Sequence, residues 1–286
     1  MVFSHVVFIF GGYIYREYLQ IILLEVIAMS RIRLFQIALA SLPVLIVACS
    51  HSGDGNNLLS PNGAGAMISK ITCVRVDPTS IHPADFVDEV DNAFFSLTPG
   101  ARYVYRAETE EGEEIVDDTV TSDTKKILGV TTIVVHDLVS RNNSLIEETF
   151  DWYAQDKQGN VWYFGEDSRQ FENGVQTGTE GSWEAGVNGA LAGIIMLACP
   201  KVGNTYYQEF LATVAEDVGR VAGLKKRATV PFGTFTNCLK TLDSSILDPG
   251  ADEYKYYAPG VGLVLEVERK SGVRSELISA TGLNSK

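Results

Sequence analysis

From Arg102 to Ser279 the chain alternates apolar and polar residues in short runs, the period of strands with one buried face. Tyr103–Ala107, Ile115–Thr124, Thr131–Val139, Ser144–Gln155 and Asn160–Gly165 carry the pattern, and Thr131–Val139 is rich in the β-branched residues that suit a pleated surface. Gln170–Gly181, Thr205–Ala215, Lys226–Val230, Thr234–Thr241, Glu253–Tyr257, Leu263–Glu268 and Val273–Ser279 continue it. Turn residues separate the runs: Gly112, Asn142-Asn143, Asp156–Gly159, Asn173-Gly174, Phe232-Gly233, Asp248–Gly250 and Pro259–Gly262. Many short strands at near-regular spacing predict a mainly β, antiparallel barrel or sandwich with few short helices. Trp183–Met196 and Leu211–Leu224 are the stretches that suit helices, the second competing with the strand at Thr205–Ala215. Asp85–Phe95 suits one or two helical turns, and Ile71–Val76 a short strand.

The N-terminal part is patterned differently. Arg31 and Arg33 precede the apolar run Leu34–Ala48, which is interrupted by Gln36 and Pro43 and ends at Cys49. A membrane-spanning helix needs about 20 apolar residues, so a cleaved secretory signal is the better fit: charged start, apolar middle, small residue at the cut. Ile46-Val47-Ala48-Cys49 resembles a bacterial lipobox, with isoleucine where leucine is commoner. The resemblance implies that Cys49 is lipidated and becomes the mature N-terminus. Ser50, rather than aspartate, implies sorting to the outer membrane. The expected organisation is a gene-model extension at 1–28 ahead of a start at Met29, a signal peptide at 29–48, an anchor and Gly/Ser/Asn-rich tether at 49–70, and one β-rich domain at 71–283. Such a tether behaves as a flexible coil.

The chain carries a net charge of −13. The segment ahead of Cys49 removes Arg16, Arg31 and Arg33 against Glu17 and Glu25, so the remainder is no less acidic. That excludes a nucleic-acid binder, which needs a basic face, and docking on anionic lipid through the protein surface. The membrane contact is expected through the lipid alone. Cys73, Cys199 and Cys238 allow one disulfide and leave one thiol. No CxxC occurs, and only His136 lies deep in the patterned region, which disfavours a Cys/His zinc site.

Two motifs carry a family resemblance. Asp151-Trp-Tyr-Ala-Gln-Asp-Lys-Gln-Gly-Asn-Val-Trp-Tyr-Phe-Gly-Glu166 resembles a signature of an uncharacterised family of β-rich bacterial exported lipoproteins. Gly233-Thr-Phe, Cys238-Leu-Lys and Tyr256-Tyr-Ala-Pro-Gly-Val-Gly-Leu-Val264 are similar to a wider group of periplasmic β proteins. Together they imply a strongly curved antiparallel sheet, a half-barrel or barrel, and no activity.

Candidate chemistry is sparse. Asp151, Asp156 and Asn160 are hard oxygen ligands close in sequence and make calcium a candidate, but their spacing is not that of an EF-hand, and Asp156–Gly159 equally suits a type I turn. Glu166, Asp167, Glu180 and Glu184 are candidates for the paired carboxylates of glycoside hydrolysis, and equally for solvated acids. His136 and Asp137 are neighbours on a strand, so they point to opposite faces and cannot pair. No GxSxG, Walker A or GxGxxG sequence occurs. Trp152, Tyr153, Trp162, Tyr163, Phe164 and Trp183 form an aromatic concentration, either a packed sheet cluster or the lining of a cavity for an apolar or sugar ligand, for which Trp152, Trp162, Tyr163 and Trp183 are the candidates with Glu166 and Glu184. Ala190–Pro200 is a buried element or a lid over such a cavity. The leading expectation is a non-catalytic ligand-binding or envelope-assembly lipoprotein that uses the concave face of the sheet and no cofactor. The alternatives are a carboxylate-dependent hydrolase of envelope glycans and a structural partner-binding lipoprotein.

Overall fold

The computed structural model describes residues 81–283. The expected extension, signal, lipidated Cys49, tether and strand at Ile71–Val76 lie outside the described residues. A 3-10 turn at Pro83–Asp85 is followed by β1 (Phe86–Val87) and by a hairpin of β2 (Val90–Asn92) and β3 (Phe95–Leu97). Five long strands come next: β4 (Arg102–Thr109), β5 (Gly112–Ile127), β6 (Val130–Arg141), β7 (Ser144–Asp156) and β8 (Val161–Glu172). Shorter pieces follow: β9 (Val175–Gly178), β10 (Trp183–Glu184), β11 (Leu191–Met196), β12 (Thr205–Tyr207) and β13 (Glu209–Phe210). The chain ends with β14 (Asp217–Val230), β15 (Gly233–Ser245), β16 (Glu253–Ala258), β17 (Gly262–Glu268) and β18 (Arg274–Thr281).

The fold is mainly β, and every strand pair is antiparallel. Turn chemistry sets several registers. Asn142 and Asn143 have φ of 50° and 65°, and Asn173 and Gly174 of 51° and 77°. Two consecutive left-handed residues are what a two-residue hairpin turn requires, because its twist then matches that of the strands.

The path β14-β15-β16-β17-β18-β4-β5-β6-β7-β8-β11 is flanked by β12 at one end and β13 at the other. Those two strands are halves of one segment separated by Gln208. Tyr206 pairs with Gly219 of β14, and Glu209 with Ala192 of β11. Gln208 N donates to Asp217 O at 2.8 Å. The segment therefore joins both margins, and the sheet curls into a nearly closed barrel. At the seam, a Cβ on Gly193 would stand 2.0 Å from Gln208 O, so only glycine permits this approach.

Three helical expectations are corrected. Among the described residues no α-helix occurs. Trp183–Met196 forms β10 and β11, Leu211–Leu224 forms a tight turn and the start of β14, and Asp85–Phe95 ends the 3-10 turn and runs through β1 and the β2–β3 hairpin. Ala192, Gly193 and Ile194 are buried in succession, so β11 is covered on both faces and reads as a continuous apolar run instead of an alternation. In β14 the register with β15 shifts around Gly223 and Lys226, which breaks the period.

Alternation gives the wall two apolar layers. Tyr103, Tyr105, Val120, Val135, Leu239, Tyr257 and Leu277 meet inside the barrel. Trp152, Ala154, Trp162, Phe164 and Val134 form a second cluster outside it, with Phe86 and Ile81 packed against it. One barrel end is plugged by the β2–β3 hairpin. Gln155 holds that hairpin in place: its Oε1 accepts from the Asp91 and Asn92 amides at 3.0 and 2.8 Å, and its Nε2 donates to Asp91 Oδ1. Gly260 N donates to Ala93 O at 2.8 Å from the far wall. Cys199 is disulfide-bonded, and Cys238 is a buried free thiol.

Candidate binding cavity

Beneath the plug the barrel encloses a cavity of about 330 Å³. Phe95 and Leu97 of the plug, with Val120, Val135, Ile195, Val261 and Leu263, make its apolar end. Tyr103, Tyr105, Tyr153 and Tyr257 make its middle. Asp118, Asp137, Asp151, Glu266 and Lys255 make a polar belt. At the end away from the plug, the lining residues Val116, Val139 and Ser275 are only partly buried.

The belt follows from register. Asp118 on β5 lies directly opposite Asp137 on β6, and Val116, Val120, Val135 and Val139 continue the same inner face on either side. Directly opposed like charges oppose one another. Burial, together with Asp137, pushes the Asp118 carboxyl well above the usual carboxylate range. Burial pushes Asp137 up to about 6, with Glu147 and Glu266 adding to the effect. The Oδ1 atoms of both residues are buried with no N–H donor, and the two carboxyls hydrogen-bond to one another through a shared proton, which raises Asp118 and lowers Asp137.

Lys255 is the cation of this lining, and it is already engaged. Its Nζ stands 2.9 Å from Glu253 Oε1, 3.1 Å from Glu266 Oε1 and 3.9 Å from Asp243 Oδ2. Burial alone would lower its pKa, but the surrounding carboxylates outweigh that and keep it an ammonium.

Asp151 links the cavity to a second acidic group. Tyr163 Oη lies 2.6 Å from both Asp151 Oδ1 and Glu166 Oε2. A phenol has one hydrogen to donate. One of the two contacts therefore requires a protonated carboxyl donating to the phenol oxygen. Burial raises both groups, Asp151 well above its ordinary value and Glu166 to about 7. Trp183 packs edge-on against Tyr163 and donates from Nε1 to Glu209 Oε2 at 2.6 Å. Burial, then Glu166 and Asp217, push Glu209 up to about 9.

The structure divides the residues singled out in the sequence. Tyr163, Trp183, Glu166 and Asp151 come together on the inner side. Trp152 and Trp162 do not join them, because they alternate with Tyr153 and Tyr163 and so point to the outer face, where Phe86 meets Trp162 at 5.8 Å and Lys125 lies over Trp152 at 3.2 Å. Glu184 pairs with Lys125 Nζ at 2.7 Å outside the barrel, Glu180 is exposed, and Asp167 binds Arg169 at 2.6 Å. His136 stacks on Phe150 and contacts Glu148 on the face opposite Asp137.

Asp156 and Asn160 do not form a ligand set with Asp151. Asp156 Oδ1 accepts from the Gln158 and Asn160 amides, and its Oδ2 from Asn160 Nδ2 and Trp162 Nε1, all within 2.8–2.9 Å. Four donors saturate the carboxylate, which locks the β7–β8 turn. Among the described residues no group of three or more His, Cys, Asp or Glu side chains is arranged to hold a metal ion.

Sequence reasoning misses Asp118 and Asp137 as a pair. Their signal is present all the same: an acid flanked two residues away on both sides by valine, in Val116-Asp-Asp118-Thr-Val120 and Val135-His-Asp137-Leu-Val139. An acid at the centre of an apolar strand face is an acid in a cavity wall or in a core.

No family model matches the chain, and no curated protein matches it. The motif resemblances therefore have no family model behind them. A solved structure of a candidate lipoprotein from Parabacteroides distasonis overlaps with 12% identity and a TM-score of 0.36, covering 66% of this chain and 98% of that one. An overlap that shallow identifies neither a ligand nor an activity.

Proposed function

We propose that the protein is a non-catalytic binding barrel that receives a small ligand in its interior and is held in the bacterial envelope by lipid on Cys49. The cavity carries this reading. Its volume falls at the lower end of the range for small-molecule sites, about 300–1,000 Å³, and it joins apolar walls to a few convergent polar groups, as such sites do. Native mass spectrometry of the full chain extracted from its membrane tests it, with a stoichiometric bound small molecule as the expected result. A chain that emerges bare, and whose Tyr153 and Tyr257 ring signals respond to no member of a fragment library, contradicts it.

The anchor rests on the lipobox resemblance and the signal-like pattern before Cys49. Lipid labelling of the chain, lost in Cys49→Ala, is expected, with outer-membrane fractions holding the labelled form. About 0.8 kcal/mol per buried CH₂ makes attachment by several acyl chains effectively permanent.

The hydrolase reading is the less favoured. Asp151 and Glu166 converge on one phenol oxygen, so the pair is bridged and leaves no gap for a glycosidic bond, while Glu180 and Glu184 stand elsewhere.

A further inference from the structure

From the inner wall we infer that the ligand is an organic cation, an ammonium group on an apolar or aromatic body, with the ammonium seated between Asp118 and Asp137. This deepens the binding reading above and rests on it. Asp118, Asp137 and Asp151 face a cavity whose ammonium, Lys255, is already held by Glu253 and Glu266. The cavity wall is thus short of positive charge. Asp118 Oδ1 and Asp137 Oδ1, buried oxygens that no N–H donor reaches, belong to residues opposite one another across one strand pair, joined in the empty cavity only by the proton they share. A buried acceptor without a donor costs about 1–3 kcal/mol, and an ammonium with three N–H donors can satisfy both. An anionic ligand would add to the repulsion, and a neutral alcohol has a single hydrogen to give.

The surroundings suit the rest of such a molecule. Tyr153 and Tyr257 line the cavity, and aromatic rings attract cations. Phe95, Leu97 and Val261 receive an apolar body at the plugged end. Without ligand, protons hold the pair. The charged and titratable groups facing it are Tyr103 and Tyr105 from β4, Glu147 and Asp151 from β7, Lys255 from β16 and Glu266 from β17. His136, on the opposite face of β6, also acts on Asp137. A bound ammonium replaces the shared proton, so binding releases protons and strengthens as pH rises through about 6, where Asp137 gives its proton up.

Calorimetry on the full chain in detergent tests this with three probes of one shape: benzylammonium, benzyl alcohol and benzoate. Near neutral pH benzylammonium is expected to bind about tenfold or more tighter than benzyl alcohol, equivalent to about 1.4 kcal/mol or more, with benzoate weakest. In two buffers of different ionisation enthalpy its binding should release protons at a pH near that of Asp137, about 6. The double variant Asp118→Asn/Asp137→Asn should lose the preference for the cation, and the released proton with it. Alcohol or benzoate binding as tightly as the ammonium overturns the inference and leaves the binding cavity standing. Ammonium binding without proton release, or unchanged in the double variant, also overturns it. Binding by none of the three overturns the inference and counts against the cavity reading too.

Discussion

Strands β6, β7 and β8 present two faces that share a backbone and differ in everything else. Outside, Trp152, Trp162 and Phe164 pack against Phe86 and one another, and the one carboxylate in their midst, Asp156, has four donors. Inside, Asp137, Asp151 and Glu166 hold raised pKa values, a buried oxygen that no N–H donor reaches and a phenol shared by two acids. The outer face is finished, with dispersion contacts and hydrogen bonds complete. The inner face is left incomplete at a cost in stability, and proteins keep such costs where they bind or react.

That contrast is open to attack from either side. Phe164 is fully buried, so Phe164→Ala should cost about 3–5 kcal/mol, the range for deleting a buried aromatic. Denaturant unfolding checks the stability, and the affinity for benzylammonium should not change. A loss of affinity at equal folded fraction would join the two faces that the structure separates.

The inner acids set the next largest effect. Asp137, Glu166 and Glu209 have folded pKa values of about 6, 7 and 9, raised from 3.8, 4.5 and 4.5. The folded state therefore binds these protons more tightly than the unfolded chain does. The stability they contribute is complete below about pH 4 and is lost as pH rises through those folded values. Across that window the domain should lose several kcal/mol, less than about 1.4 kcal/mol for every pKa unit because the three acids are coupled and partly screened. Thermal unfolding against pH reads it, and Glu166→Gln/Glu209→Gln should flatten the slope.

Smaller changes separate the two carboxylate environments. Asp156→Asn turns a donor toward Asn160 Nδ2 and Trp162 Nε1, and should destabilise by about 1–3 kcal/mol. Asp118→Asn puts a permanently neutral donor where the parent must hold a proton beside Asp137, and above neutral pH, where keeping that proton is costly, should stabilise by about 1 kcal/mol. The same substitution with opposite signs, read from urea midpoints, distinguishes a saturated acid from a starved one.

The strands are legible because alternation and turn residues agree, as at Asn142-Asn143 and Asn173-Gly174. The expected helices fail where that agreement is broken: β11 is apolar on both faces, and β14 is bulged. The site is half legible. Tyr163, Trp183, Glu166 and Asp151 are marked by local crowding, and the structure does gather them. Crowding also marks Trp152 and Trp162, which alternation sends to the other face. Asp118 and Asp137 lie well apart in sequence and meet through register, which depends on the bulge between Val120 and Thr124 as well as on the turn at Gly129. A single chain read residue by residue does not display that pairing.

Carbon-13 NMR of the aspartate and glutamate side-chain carboxyls, followed against pH in the ligand-free chain, tests the unfinished inner face most directly. Titrations with midpoints near 6 for Asp137 and near 7 for Glu166, with Asp118 higher than an ordinary aspartate, are the predicted result. All of these carboxyls titrating together near 4, as solvated acids do, would contradict it.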